Sequence, residues 1–183
     1  MVDETPEQGA LFAQARVGQD DSVGYRGPTA CSAAGITYRQ LDYWARTELV
    51  APSVRSAAGS GSQRLYSFKD ILVLKVVKRL LDTGVSLQNI RAAVDHLREH
   101  GVDDLARITL LSDGTTVYEC TSSEEVVDLL RGGQGVFGIA VSGALRELAG
   151  SLATLPSERA DGVLTPQTVD ELSRRRQQRT ASA

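Results

Sequence analysis

The stretch Gly35–Val50, GITYRQLDYWARTELV, sorts its residues into two sets that a helix separates cleanly. Ile36, Leu41, Trp44, Ala45 and Leu49 recur at helical spacing and form a core face. Tyr38, Arg39, Gln40, Tyr43 and Arg46 occupy the rest of the surface, and all are long side chains with donors that reach phosphates and base edges. Gly35 ends the preceding segment, and Thr37 is placed to accept a hydrogen bond from the first free amides as N-cap. Trp44 shares the face of Leu41 and falls opposite Arg39 and Arg46, which assigns it to the core and not to base stacking. A helix that reads DNA is the expectation.

Its neighbours extend the pattern. Gly27-Pro28-Thr29 sets a turn and a helix start, so ordered structure is expected from Tyr25, and Ala30–Ala34 forms a short first helix. Short helix, glycine and second helix make a helix-turn-helix. After Leu49, extended pieces at 50–54 and 63–66 flank Ser-Ala-Ala-Gly-Ser-Gly-Ser at 56–62, which predicts a two-stranded wing. Gly59-Ser60-Gly61 shares only its composition with a phosphate-cradling loop, because no Gly-Lys-Ser/Thr or helix follows. Ser67 caps a helix striped by Ile71, Leu72, Leu74, Val76, Val77 and Leu80, and Asp82-Thr83-Gly84 stops it. Val85-Ser86-Leu87 opens another, with Ile90, Ala93, Val94 and Leu97 at helical period and Gly101 as C-cap. His96 and His100 lie four apart on it, but no third ligand stands at useful spacing, so exposed helix-end histidines and no metal are expected.

Charge divides the chain at the same place. The 183 residues carry a net charge of -3, yet Ile36–Leu80 holds eight basic residues against three acidic ones, while Val102–Ala160 holds four against nine. The basic half suits a polyanion, and the acidic half does not.

The second half reads as a small mixed unit. Segments 108–111 and 116–120 flank Ser112-Asp113-Gly114-Thr115 as a hairpin, Ser122 or Ser123 caps a helix containing Val126, Val127, Leu129 and Leu130, and Gly135–Val141 suits a third strand. Val117, Tyr118, Val136, Phe137 and Ile139 are the candidate effector or partner surface. Leu145, Leu148, Leu152 and Leu155 stripe a final amphipathic helix, which serves either as intramolecular core or as a dimer helix. Residues 1–24 are expected to be a disordered arm, and 157–183, with Arg174-Arg175-Arg176 and Arg179, a flexible basic tail. Cys31 and Cys120 lack metal or disulfide spacing and read as free thiols filling core space. No signal segment or membrane span is evident, so a cytoplasmic location is expected. No catalytic constellation and no cofactor motif are visible, and an enzyme in the second half is the weakest of the functions considered.

Three local patterns in order resemble the MerR family of bacterial transcription regulators: Ala34–Trp44 for the reading helix, Arg64-Leu65-Tyr66-Ser67 for the return strand of the wing, and Asp82–Ile90 between the last two helices. The resemblance covers Gly27–Gly101. It implies a homodimer on pseudo-palindromic double-stranded promoter DNA, which it bends and untwists so that RNA polymerase elements align. Family regulators often respond to small molecules, metals or redox signals, and this chain shows no cysteine cluster for the last two, which leaves a small-molecule or protein effector as the expectation. It also implies that Arg39 reads a base, Tyr38 lies near the backbone or a base, and Tyr43, Arg64 and Tyr66 grip phosphates. Thr37 and Gln40, from the same helix, and Arg46 and Arg55, from charge and position, complete the expected DNA-binding set. Asp42 stands where many members have arginine, Glu48 where a glycine usually follows the helix, and the usual long dimerisation helix is absent after Gly101. Asp42 either pairs with a nearby arginine or repels phosphate. The arrangement looks closer to an actinobacterial-type branch with a separate C-terminal domain than to the metal sensors. A ligand-independent architectural DNA binder is the alternative function.

The expected fold is mainly α with small β elements. A winged helix-turn-helix of four helices and a two-stranded wing spans 25–101, and a small α+β unit spans 102–156.

Overall fold

The computed structural model describes residues 22–57, 63–131 and 137–162. Among them are seven helices and two three-stranded antiparallel sheets, and no helix is long and apolar enough to cross a membrane. Strand β1 (Val23–Arg26) leads into α1 (Gly27–Ala34), whose Pro28 supplies a preset φ where no amide partner is needed. Gly35 closes α1 at φ 72°, a conformation that costs a residue without Cβ least, and its N–H donates to the Cys31 carbonyl at 2.9 Å. Thr37 then starts α2 (Tyr38–Arg46): its hydroxyl accepts from the Gln40 amide while the Gln40 side chain accepts from the Thr37 amide.

Helix α2 is shorter than the apolar spacing predicts. Leu49 and Val50 are buried but lie beyond it, because Glu48 turns the chain at φ 57°, the one positive φ of a non-glycine among the described residues. Strand β2 (Leu65–Tyr66) pairs with β1, Tyr25 facing Tyr66 and Arg26 facing Leu65. The expected partner segment contributes only a bridge between Arg55 and Leu65. That bridge is on one edge of β2, and β1 takes the other, packed so closely that a Cβ on Gly24 would come within 2.8 Å of Leu65 Cβ. The tip of the predicted wing, 58–62, lies outside the described residues.

Helix α3 (Phe68–Asp82) is the centre of the molecule. Ser67 and Asp70 cap it reciprocally, and the Asp70 carboxylate also accepts from the amide and hydroxyl of Ser53, fastening the chain beyond α2 to its start. Nine of its 15 residues are buried, so apolar side chains are needed around most of its circumference. Helices α1, α4 (Leu87–Glu99) and α7 (Val141–Leu152) surround it.

After α5 (Val102–Leu105), β3 (Thr109–Ser112) and β4 (Val117–Cys120) form the predicted hairpin. The Asp113 carboxylate accepts from the Thr115 and Thr116 amides and is drawn down to a pKa of about 2 by those bonds. Helix α6 (Ser123–Arg131) follows, and β5 (Phe137–Ala140) joins the other edge of β3 to give the order β4-β3-β5.

The expected boundary at 101/102 does not divide the core. One cluster of buried residues runs from Tyr25 through α3 to Leu152. The leucine stripe of α7 belongs to it: Leu148 and Leu152 are buried, Leu145 and Leu155 pack against the same cluster, and the stripe is therefore not an exposed dimer helix. At this contact Lys75, itself buried, donates to the Ala33 carbonyl at 3.1 Å and pairs with Glu147 at 2.9 Å, where Arg79 also pairs. Strand β6 (Glu158–Arg159) pairs with β1 through Val23–Arg159 and Gly24–Glu158. Residues 23–24 and 158–159, expected in the arm and the tail, are thus strand. The rest of the arm and the tail, Arg174 to Arg179 included, lies outside the described residues.

Candidate nucleic-acid interface

With Leu41 and Trp44 buried, α2 turns Tyr38, Arg39 and Tyr43 outward, and the two tyrosines are 62% and 47% exposed despite their large apolar area. Residues 39, 43 and 46 follow at i, i+4 and i+7, so they share one face. Arg39 is exposed and forms no ion pair among the described residues. Thr37 is the N-cap that the sequence predicts, and Gln40 completes the capping box; the two side chains bond each other and the first-turn backbone, and so fix where the helix starts.

Asp42 settles the choice left open by the sequence. Its carboxylate accepts from Arg46 Nε at 2.8 Å and from Arg64 Nη1 at 2.9 Å. The Arg64 bond, before any other cause, holds the carboxyl below its usual range, so it stays ionised and partly neutralises both arginines. Arg64 in turn lies beside the Tyr66 hydroxyl, in a groove of about 520 Å³ between α2, β1 and β2 that Arg26, Tyr38 and Gln63 also line. Tyr66 is fully buried, and burial pushes its hydroxyl up to about 12 although Arg64 opposes the shift. The expectation that Tyr66 grips phosphate is corrected: its side chain is fully buried, whereas Arg64 beside it is partly exposed.

The far end of α2 is held by α4. Arg91 donates to the carbonyl of Thr47, the C-cap, at 3.0 Å, and Arg98 to the Leu49 carbonyl at 2.9 Å, just past the turn at Glu48. A short helix capped at one end and clamped at the other presents its outer side chains at fixed positions.

Residues 25–97 match a family model described as MerR HTH family regulatory protein. An HTH-type transcriptional regulator of Mycobacterium bovis is 72% identical over 177 residues, spanning 95% of this chain and 77% of that relative. Regulators from the CDC 1551 and H37Rv strains of Mycobacterium tuberculosis match to the same extent. The chain belongs to the MerR family. It is a transcriptional regulator whose DNA-binding helix-turn-helix lies in its N-terminal part.

Within this MerR regulator, Arg55, expected in the DNA-binding set on charge and position, is engaged inside the fold. Its Nη2 donates to Glu158 at 2.9 Å and its Nε to the Gln63 carbonyl at 3.1 Å, while Arg26 donates to the same carboxylate at 2.7 Å. Glu158 is buried, and its bonds from Arg55 and then Arg26 hold it below the usual carboxylate range. Arg55 is therefore a tie between the loop and β6. Glu158 sits in a stretch whose local pattern shows no helix or strand, so only the fold reveals it.

The predicted effector surface is also redistributed. Strand register puts Val117 and Phe137 opposite Ser112, and Ile139 opposite Leu110, all on one face of the second sheet; Tyr118 falls on the other face with Leu111. Ile139 is core, Val117 and Phe137 pack on the core, and Tyr118 donates its hydroxyl to Asp113. These four residues make no common surface, and Val136 lies outside the described residues.

Proposed function

We propose that this MerR regulator binds pseudo-palindromic double-stranded promoter DNA as a homodimer, with α2 in the major groove. Arg39 is the base reader, flanked by Tyr38 and Tyr43, while Arg46 and Arg64 lie toward the backbone. The observation that carries this reading is Arg39: an exposed guanidinium, with no ion pair among the described residues, on a helix fixed at both ends. An arginine so held can donate twice to the O6 and N7 of guanine without first breaking an internal bond. The family resemblance supports bending and untwisting of the bound DNA to align polymerase elements, and a cytoplasmic site of action follows from that role. Because the α7 leucines are internal, the dimer uses another surface. An effector, small molecule or protein, acts on the second half.

Selection of bound duplexes from a random pool by the full chain, with sedimentation of the selected complex, tests this. Two inverted half-sites and two chains per duplex are expected. Enrichment of sequences without two-fold symmetry, or one chain per duplex, overturns the dimeric reading.

A further inference from the structure

His96 and His100 leave the same face of α4, four residues apart. Opposite them, the pairing of Glu119 with Leu110 turns the Glu119 carboxylate toward that helix. His96 Nε2 lies 2.9 Å from Glu119 Oε2, His100 Nε2 lies 3.7 Å from Glu119 Oε1, and the two rings meet edge to face with centroids 5.0 Å apart. One ligand atom from each residue falls within 4.8 Å of the others. Around a tetrahedral ion with bonds of about 2.0–2.1 Å, donor atoms stand about 3.3 Å apart, so side-chain adjustment alone brings three atoms within 4.8 Å of one another onto one ion.

The remaining ring nitrogen of His100 fixes which of its atoms faces the centre. His100 Nδ1 lies 3.0 Å from the His96 carbonyl, an acceptor, so that nitrogen carries the proton and Nε2 presents a lone pair. His96 Nδ1 lies 4.0 Å from Glu99, beyond hydrogen-bond reach, and its Nε2 is the nitrogen turned to Glu119 at 2.9 Å. Glu119 Oε2 is buried and receives no well-aligned hydrogen bond. Two imidazole nitrogens and a carboxylate converge on one spot, and a cation that displaced any proton held between His96 and Glu119 would have all three as ligands.

We infer that His96, His100 and Glu119 form a binding site for a divalent transition-metal ion of the zinc type. Two imidazoles and one carboxylate are a ligand set suited to such an ion, and three protein ligands leave a fourth position open. That position adjoins a cavity of about 340 Å³ between α4 and the hairpin, lined by Asn89, Ala93, Leu110 and Val117. Cys120 contributes nothing, since it points to the opposite face of β4. The ion bolts the hairpin to α4, the helix whose Arg91 and Arg98 clamp the end of α2. Metal occupancy thereby stiffens the support of the reading helix; this regulatory consequence rests on the proposed DNA-binding function, whereas the site itself does not.

The test is titration of the full chain with Co(II), followed by the visible absorption of a tetrahedral nitrogen–oxygen complex and by competition with Zn(II). One ion per chain is expected. His100→Ala and Glu119→Gln, each checked for unchanged circular dichroism, should weaken binding more than about 100-fold, since loss of a ligand exceeds loss of an outer-shell partner. His96→Ala, at the more exposed position, supplies a second variant should His100→Ala unfold. Absence of saturable binding by the wild type, or equal binding by Glu119→Gln, overturns the site. DNA affinity with Zn(II) and with chelator is measured separately: a metal-bound chain whose DNA affinity ignores the metal overturns the regulatory coupling, and a chain that binds metal but no DNA overturns the DNA-binding reading alone.

Discussion

Arg64, just before β2, donates to Asp42 in the middle of α2 at 2.9 Å, so the start of that strand is tied to the helix through one carboxylate. The same carboxylate holds Arg46 at 2.8 Å. Both arginines therefore enter any complex already partnered. Asp42→Asn should release them toward phosphates, raising affinity for all sequences and making the slope of log affinity against log salt more negative by about 0.9 per arginine engaged. Fluorescence anisotropy on a random duplex at several salt concentrations reads this directly.

Arg39 and Arg64 should fail in different ways. Arg39→Ala is expected to cost about 1–3 kcal/mol of discrimination at one base pair per half-site, and Arg64→Ala to weaken binding to every duplex alike. Binding to a panel of single-base variants of the selected site separates the two, and an unchanged preference in Arg39→Ala would mean that another group reads the base.

Glu48 occupies the left-handed region at φ 57° without the exemption that glycine enjoys. Glu48→Gly should stabilise the fold by about 0.5–1 kcal/mol, the relief of backbone strain exceeding the added freedom of the unfolded chain. Thermal melting of the two proteins side by side shows it as a higher midpoint for the variant.

Leu148 lies wholly inside the core contributed by α7. Leu148→Ala should destabilise the chain by about 2–5 kcal/mol in urea unfolding, while sedimentation of the folded protein gives the same oligomeric state as the wild type. Dissociation of the dimer without loss of chain stability would return the leucine stripe to a subunit interface.

Glu158 links stability to pH with a definite sign. Its carboxyl is held below the usual value in the folded chain, so its contribution is complete above the unfolded value and is lost as pH falls through the lowered one. Melting curves of wild type and Glu158→Gln should differ most at neutral pH and converge on acidification.

What was legible in the sequence was local. Thr37 with its helix, Ser67, Ser86 and the Asp113-Gly114 turn all act within a few residues, and each cap or turn stands where the spacing put it. Trp44 was assigned to the core because helical period alone decides its face. The pairing of β2 with β1, the anchoring of Arg55 by Glu158 and the convergence of Glu119 on two histidines join residues far apart in the chain. No periodicity encodes those meetings; they depend on which edge of a sheet is already occupied and on strand register. The end of α2 shows the same limit at short range: Leu49 keeps the helical period, but tethers from Arg91 and Arg98 hold the carbonyls of a chain that has already turned.

Lys75 sets a constraint on how such a regulator is assembled. Its buried ammonium has one partner at the end of α1 and another on α7, so neither half of the chain accommodates it alone. A fragment ending at Gly101 would uncover the apolar side of α3 and leave that charge without its carboxylate. The DNA-reading half is consequently no interchangeable cassette: a new sensory half grafted after Gly101 would have to bring its own acidic residue to the same spot, and the two halves are bound to change together.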